Sequence, residues 1–121
     1  MKVLFSSLLL LLPLCALAEW EKVAETPEAH FYFDSETIKT AGNIKILWVL
    51  TDLKKSTSAG EKSRRSRYQF DCKEDRIKLI TLTTYSGQMG EGKLLYMQAK
   101  GSWMEASQNA IGLVLKTVCE K

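Results

Sequence analysis

Hydrophobic and polar residues alternate along most of the chain after residue 18, as expected for β-strands whose two faces meet different surroundings. Alternating or β-prone runs lie at residues 19–25, 30–34, 43–55, 64–72, 76–87 and 93–99. Gly42 and Asn43 interrupt "TIKTAGNIKI" and predict a hairpin turn. The pattern predicts five or six antiparallel strands in a single sheet.

The C-terminal segment changes period. From Ser107 to Cys119 the apolar residues recur at 111, 114, 115 and 118, which is the spacing of one face of a helix. One helix packed on one face of an antiparallel sheet defines an α+β fold. With no internal repeat and no second domain, residues 19–121 form a single domain of 103 residues.

Two strands indicate which side chains face inward. The segment 64–72 places Tyr68, Phe70 and Cys72 on one face, which we expect to meet the helix, and Arg67 on the other. The segment 43–55 is apolar on both faces. We expect a second apolar surface opposite the helix, covered by the segment 19–35, by a second copy of the chain or by a partner protein. Its predicted members are Leu47, Val49, Leu53, Ile80 and Leu82.

The first 18 residues have the features of a cleaved secretory signal. Lys2 precedes an apolar run, and "ALA" at 16–18 provides a small-x-small cleavage site before Glu19. The run is shorter than the roughly 20 residues of a membrane span. Cys15 follows Pro13 and Leu14, which is not the context of a lipid-attachment cysteine. We expect an exported protein, either periplasmic or at the outer cell surface, with no transmembrane segment in the mature chain.

Export determines how the cysteines are interpreted. Cleavage leaves Cys72 and Cys119, and an oxidising compartment favours their pairing as a disulfide. Such a bond would join the helix to the inward face of the sheet and contribute roughly 3–4 kcal/mol. An intermolecular pair and a redox site are the alternatives, but the chain has no C-x-x-C motif.

Charge suggests one candidate contact surface. The mature chain keeps 16 basic and 14 acidic residues, a net charge of +2, which does not resemble a nucleic-acid-binding domain. Basic residues nevertheless concentrate around the segment 64–76, on a strand and its preceding loop. They are either solvated or a contact surface for an anionic partner such as a matrix glycan, an acidic protein segment or lipid head groups. The candidates are Lys62, Arg64, Arg65, Arg67 and Arg76.

Catalytic and metal motifs are weak. His30 and Asp34 would lie roughly 13 Å apart on a regular strand, too far for a catalytic pair. "GQMGEG" at 87–92 lacks the Gly-Lys-Ser/Thr ending of a phosphate-binding loop, and no G-x-S-x-G motif occurs. We therefore expect no enzyme activity, no cofactor and no metal site.

Several segments resemble one family of small exported bacterial proteins, the surface-adhesin protein E family. The matching pieces are Trp20, "FYFD" at 31–34, "GNIKILWVLTD" at 42–52, "SRYQFDCKEDR" at 66–76, "TYSGQMGEG" at 84–92, Trp103 and Cys119. The resemblance implies an antiparallel sheet with a C-terminal helix tethered through Cys72 and Cys119. It also implies attachment to host molecules.

The sequence thus predicts an exported, non-catalytic, adhesin-like binding protein. Its expected partners are host extracellular-matrix or envelope macromolecules, and a homodimer is a further expectation. The alternative is a periplasmic structural or regulatory protein, for example an inhibitor. A small hydrolase or ligand carrier is a third hypothesis, which a closed apolar pocket with convergent polar groups would support.

Overall fold

The computed structural model describes residues 19–99, 101–106 and 110–120, so the predicted signal at 1–18 lies outside the described residues. These residues form one antiparallel sheet and one C-terminal helix. The strands are β1 (Trp20–Glu25), β2 (Ala29–Asp34), β3 (Lys39–Ala41), β4 (Ile44–Leu53), β5 (Ser63–Asp71), β6 (Arg76–Tyr85), β7 (Leu94–Ala99) and β8 (Trp103–Glu105). The helix α1 spans Ala110–Cys119, and short 3₁₀ turns lie at Ser35–Thr37 and Gln88–Gly90. The first three residues of the helix predicted from Ser107 lie outside the described residues.

The sheet runs β1-β2-β4-β5-β6-β7, with β3 beside β4 and β8 beside β6. The antiparallel class and the single helix are confirmed, but the sheet has eight strands and the prediction of five or six was wrong. The shortest strands explain the difference. β3 and β8 have three residues each, too few for an alternating pattern to stand out.

The core lies between α1 and one face of the sheet, here called the helix-covered face. Val114 and Val118 of the helix are fully buried with Phe33 and Phe70. The Tyr68 ring stacks on Phe70 with the two ring centroids 5.8 Å apart. At the end of the helix, Lys45 Nζ donates a hydrogen bond of 3.0 Å to the carbonyl of Val118. That contact places a positive charge where the helix exposes unpaired carbonyls.

The predicted disulfide is confirmed. Cys72 follows β5 directly and Cys119 is the last residue of α1, and their Cα atoms are 5.6 Å apart with an S–S bond of 2.03 Å. Cys72 N also donates to the carbonyl of Asn43, which fixes the backbone beside the bond. The bond therefore attaches the C-terminal end of the helix to the turn between β5 and β6.

The prediction that Leu47, Val49 and Leu53 form an apolar surface opposite the helix was wrong. Leu47, Val49 and Leu53 are buried in the core cluster beneath the helix, with 1%, 0% and 9% exposure. The register explains the error, because Leu47 pairs with Tyr68 and cross-strand partners share a face. Leu82 pairs with Ser66 on the same helix-covered face, and Ile80 lies at a break in register between β5 and β6. The alternation within β4 was interpreted correctly, but its two rows were assigned to the wrong faces.

The opposite face, here called the far face, is partly covered by the connection at 87–92. Leu50 is fully buried there, although it does not belong to the core cluster. Ser63 Oγ donates to the carbonyl of Gly87 at 2.6 Å and accepts from Gly90 N at 2.9 Å. Asp52 Oδ1 accepts from Met89 N at 2.9 Å. The glycine-rich connection is thus held against β4 and β5 by three side-chain hydrogen bonds.

Candidate functional site

The two faces of β5 separate the predicted basic residues. Arg65 and Arg67 pair with Leu50 and Trp48 of β4, so their side chains belong to the far face. Arg64 pairs with Thr51 and belongs to the helix-covered face. The predicted basic set is therefore not one continuous surface, because consecutive residues of a strand point to opposite sides.

On the far face, Trp48 contacts two arginines of the neighbouring strand β5. Arg65 Cζ is 4.6 Å from the centroid of the Trp48 ring, and Arg67 Cζ is 5.7 Å from it. Cation–π contacts at this range contribute about 0.5–1 kcal/mol at exposed sites. The ring therefore holds the two guanidinium groups close together on this face.

A second cluster of the same kind lies on the far face at the other side of β6. Trp103 of β8 pairs with Lys78, whose Nζ is 6.0 Å from the ring centroid. Arg76 Cζ lies 5.2 Å from the same centroid. The far face thus carries two tryptophans, each beside two cations, which we call the cation–tryptophan surface. Its members are Trp48, Arg65, Arg67, Arg76, Lys78 and Trp103.

The cations of this surface differ in how much of their charge is neutralised. Arg76 Nη2 is 3.4 Å from Asp71 Oδ2. Within residues 19–99, 101–106 and 110–120, no carboxylate forms a salt bridge with Arg65, Arg67 or Lys78. Arg65 Nε is buried and makes no hydrogen bond to a described residue. Three cations on the far face therefore have no described carboxylate that neutralises their charge.

Asp71 stabilises the turn next to this surface. Its Oδ1 accepts from the backbone N–H groups of Lys73 and Glu74, each at 3.1 Å. The hydrogen bond from Glu74 N makes the largest contribution to lowering the pKa of the Asp71 carboxyl. The hydrogen bonds from Lys73 N and Arg76 lower this pKa further, and burial acts in the opposite direction. Asp71 thus connects Arg76 to the backbone of the turn that follows β5.

The two remaining predicted residues are bound within the chain. Arg64 forms a forked ion pair with Glu61, in which Nη2 is 3.2 Å from Oε2. Lys62 Nζ donates to the carbonyl of Leu53 at 2.5 Å. Both contacts connect β5 and its preceding loop to neighbouring backbone and side chains. Lys62 and Arg64 therefore do not extend the cation–tryptophan surface.

Sequence reasoning missed Trp48, Lys78 and Trp103 as members of this surface. Trp48 lies 17 positions before Arg65 in the chain, and Trp103 lies in a three-residue strand. The available signal was the alternation of β4, which places Trp48 on the row opposite Leu47. Only the pairing register shows that this row and the arginine row of β5 share a face.

The helix-covered face has a groove beside the first residues of α1. Its volume is about 1110 Å³, and it is open to solvent. Tyr68 lies in its floor, and burial raises the pKa of the phenol although Ser66 and Arg64 act in the opposite direction. The residues that line the groove include Phe31, Leu53, Lys54, Lys55, Arg64, Ser66, Tyr68, Leu82 and Ile111. The groove has an apolar floor and charged side chains at its rim, and it is not a closed pocket.

His30 lies in a charged cluster at the edge of the sheet. Its Nδ1 is 3.2 Å from Glu25 Oε1, and Glu25 also contacts Lys22 at 2.6 Å and Lys54 at 2.8 Å. The hydrogen bonds from Lys22 and Lys54 lower the pKa of Glu25 to about 2. In the part of the chain that the structure describes, no group of three His, Cys, Asp or Glu side chains could hold a metal ion.

We predict that Glu25 makes stability depend on acid pH. The pKa of Glu25 lies near 4.5 without partners and at about 2 in the fold. Between these two pH values the Glu25 carboxyl is protonated in the unfolded chain and ionised in the folded one. The stabilisation of the fold by ionised Glu25 is therefore complete above pH 4.5 and disappears as the pH falls toward 2. Thermal melts of wild type and Glu25→Gln should therefore converge as the pH falls through this range. A constant difference in melting temperature between pH 2 and 6 would contradict the assignment.

Comparison with known proteins gives a family and a fold. The model of the family described as "Surface-adhesin protein E" matches residues 20–120. The structure of crystal form II of Haemophilus influenzae protein E is similar with a TM-score of 0.68 and 13% identity, covering 86% of this chain and 89% of that one. A crystal structure of protein E from non-typeable Haemophilus influenzae has a TM-score of 0.63 and 15% identity, covering 89% and 80% of the two chains.

At these identities the structural similarity shows a shared fold, and the family model shows the relationship. Among curated proteins, none matches this chain. In the described residues, no helix has the length and apolar character needed to cross a membrane.

Proposed function

The chain belongs to the surface-adhesin protein E family, and on that premise we propose that it is an exported, non-catalytic binding protein. Its contact site is the cation–tryptophan surface on the far face of the sheet. The observation that carries this proposal is the repeated arrangement of a tryptophan beside two cations, at Trp48 and again at Trp103. The partner is an anionic macromolecule of the host matrix or the bacterial envelope.

The chemistry of the two clusters favours an anionic polysaccharide. Guanidinium groups donate paired hydrogen bonds to carboxylate and sulfate oxygens. The edge and exposed face of a tryptophan ring offer an apolar surface for the C–H groups of a sugar. Three cations that form no salt bridge with a described carboxylate supply the charge. A polymer that alternates sugar rings and acidic groups fits both features.

The separation of the clusters requires an extended ligand. Trp48 is on β4 and Trp103 is on β8, which is three strand positions away through β5 and β6. At about 4.8 Å per strand the clusters are at least about 14 Å apart. A single sugar or a small anion would reach one cluster, whereas a linear polymer would contact both. Binding should therefore strengthen as the length of the oligosaccharide increases.

The test uses variants of the two faces of β5. We expect Arg65→Gln combined with Arg67→Gln to weaken binding to an immobilised sulfated oligosaccharide by about tenfold or more, because each lost charged hydrogen bond costs about 1.5 kcal/mol or more. Arg67→Gln alone and Arg64→Gln form the matched pair, since each removes one positive charge and the two residues lie on opposite faces of β5. Surface plasmon resonance at two salt concentrations measures all three variants.

The outcomes separate the far face from general electrostatics. Binding of wild type should fall with added salt because exposed charges are screened. Equal losses in Arg64→Gln and Arg67→Gln would mean that net charge alone governs binding. Unchanged binding in the far-face variant would refute the contact site. Protease treatment of intact cells would then show whether the protein is displayed at the surface or retained in the periplasm.

A further inference from the structure

Exposed apolar side chains concentrate at one edge of the sheet. Seven large hydrophobic residues of the described chain are exposed, and five of them belong to β7 and β8. In β7 all six residues are exposed, and Met97 reaches 63%. The five are Leu94, Leu95, Tyr96, Met97 and Met104. Apolar patches of this kind are uncommon on monomeric proteins and mark interaction surfaces.

The backbone of β7 restricts what can bind there. β7 is the last strand in the sheet order and pairs with β6 on one side. On the other side no strand of the described chain pairs with it, so a row of backbone N–H and C=O groups is available. The surface therefore suits an extended strand, which would satisfy these groups, better than a helix or a polysaccharide.

The two edges of the same sheet are built differently. The opposite edge strand, β1, has the sequence WEKVAE, with three charged residues in six and an ion pair between Lys22 and Glu25. β7 has the sequence LLYMQA and no charged residue. Charges on an edge strand are a common protection against edge-to-edge pairing. β1 carries that protection and β7 does not.

From these observations we propose that the chain forms a twofold dimer in which β7 pairs antiparallel with β7 of a second copy. The charged β1 edge disfavours head-to-tail pairing of β7 with β1, so the symmetric pairing that closes after two copies remains. A twofold axis near Met97 places this side chain next to Met97 of the second copy. Tyr96 of each copy then lies opposite Gln98 of the other. In an antiparallel pair, each step forward along one strand corresponds to one step back along the other.

The dimer would enlarge the surface used in the proposed function. Pairing through β7 continues the sheet, so the far faces of both copies lie side by side. Trp103 and its neighbouring cations are at this edge of the molecule, on β8 and β6. Two cation–tryptophan surfaces would then meet one polymer, which raises apparent affinity through multivalency. The dimer itself does not depend on the identity of the ligand and is measured without one.

The experiment is sedimentation equilibrium of the mature protein at micromolar concentration, with Met97→Lys as the test variant. We expect wild type to sediment as a dimer and Met97→Lys to raise the dimer dissociation constant by about tenfold or more, because two like charges would lie directly opposite each other. Leu113→Lys is the matched control: its side chain is 51% exposed and belongs to α1, not to β7. Thermal melts of both variants serve as the control for folding.

A second variant tests the register. Met97→Cys should form an intermolecular disulfide under mild oxidation, since directly opposite residues have Cβ atoms about 4.5–5.5 Å apart. Leu113→Cys should crosslink more slowly. Wild type that sediments as a monomer at micromolar concentration would overturn the proposal. A dimer that persists in Met97→Lys, or one in which both cysteine variants crosslink at the same rate, would also overturn it.

Discussion

Replacing Cys72 and Cys119 together by alanine is expected to lower the free energy of unfolding by about 4 kcal/mol. The bond closes a loop with a sequence separation of 47 residues, and the chain-entropy model gives about that value for such a length. The short helix makes the protein more sensitive to loss of the disulfide. α1 has ten residues, and helices that short are marginal in water without tertiary contacts. The helix therefore depends on its attachment to the sheet.

Thermal unfolding followed by circular dichroism measures the effect. For a domain of this size a loss of about 4 kcal/mol corresponds to a fall in melting temperature of at least about 15 °C. Hydrogen exchange should show the largest loss of protection in α1, with β4 and β5 less affected. Reduction of the wild-type protein is the matched comparison, because it breaks the bond without changing the side chains. An unchanged melting temperature in both would contradict the prediction.

Gly112→Ala is expected to destabilise the protein, although glycine to alanine usually stabilises a helix by up to about 1 kcal/mol. A Cβ atom at Gly112 would lie 2.0 Å from the carbonyl oxygen of Ala106. Ala106 is 3% exposed, and its N–H donates to the carbonyl of Asp75 at 3.1 Å. The backbone next to Gly112 is thus held in place, and overpacking of this kind typically costs about 1–3 kcal/mol.

Leu113→Ala is the control in the same turn of the helix. Leu113 is half exposed, so its truncation removes little buried surface and keeps a good helix former. Melts of the two variants under the same conditions should show a lower melting temperature for Gly112→Ala and a small change for Leu113→Ala. A rise in melting temperature for Gly112→Ala would show that α1 is not packed against residue 106 as described.

The side chains of β4 and β5 show what an alternating pattern can predict and what it cannot. Within β5, the pattern correctly separated Tyr68 and Phe70 from Arg67, because side chains of a pleated strand alternate whatever lies beside it. Within β4 the same reasoning separated Leu47 from Trp48. It then placed Leu47 on the wrong face, since nothing local to β4 states which of its rows lies next to Tyr68.

The candidate site shows the same limit. The sequence drew attention to Arg65, Arg67 and Arg76, and the structure brings these three to the far face. It also suggested Arg64, which alternation itself places on the other face. The tryptophans that organise the cations were not predicted, because their contacts join strands that are distant in the chain. The exposed edge at β7 depends on strand order, which no single strand encodes.

The amino-acid sequence by itself determined the antiparallel sheet, the C-terminal helix and the pairing of Cys72 with Cys119. Each follows from a local period or from a count: alternation, a helical repeat, and two cysteines in a mature exported chain. The tertiary structure decided the strand order, the face that the helix covers, and hence the positions of the cation–tryptophan surface and the open edge. These depend on register between strands, and register is set by the packing of side chains that meet only after the chain has folded.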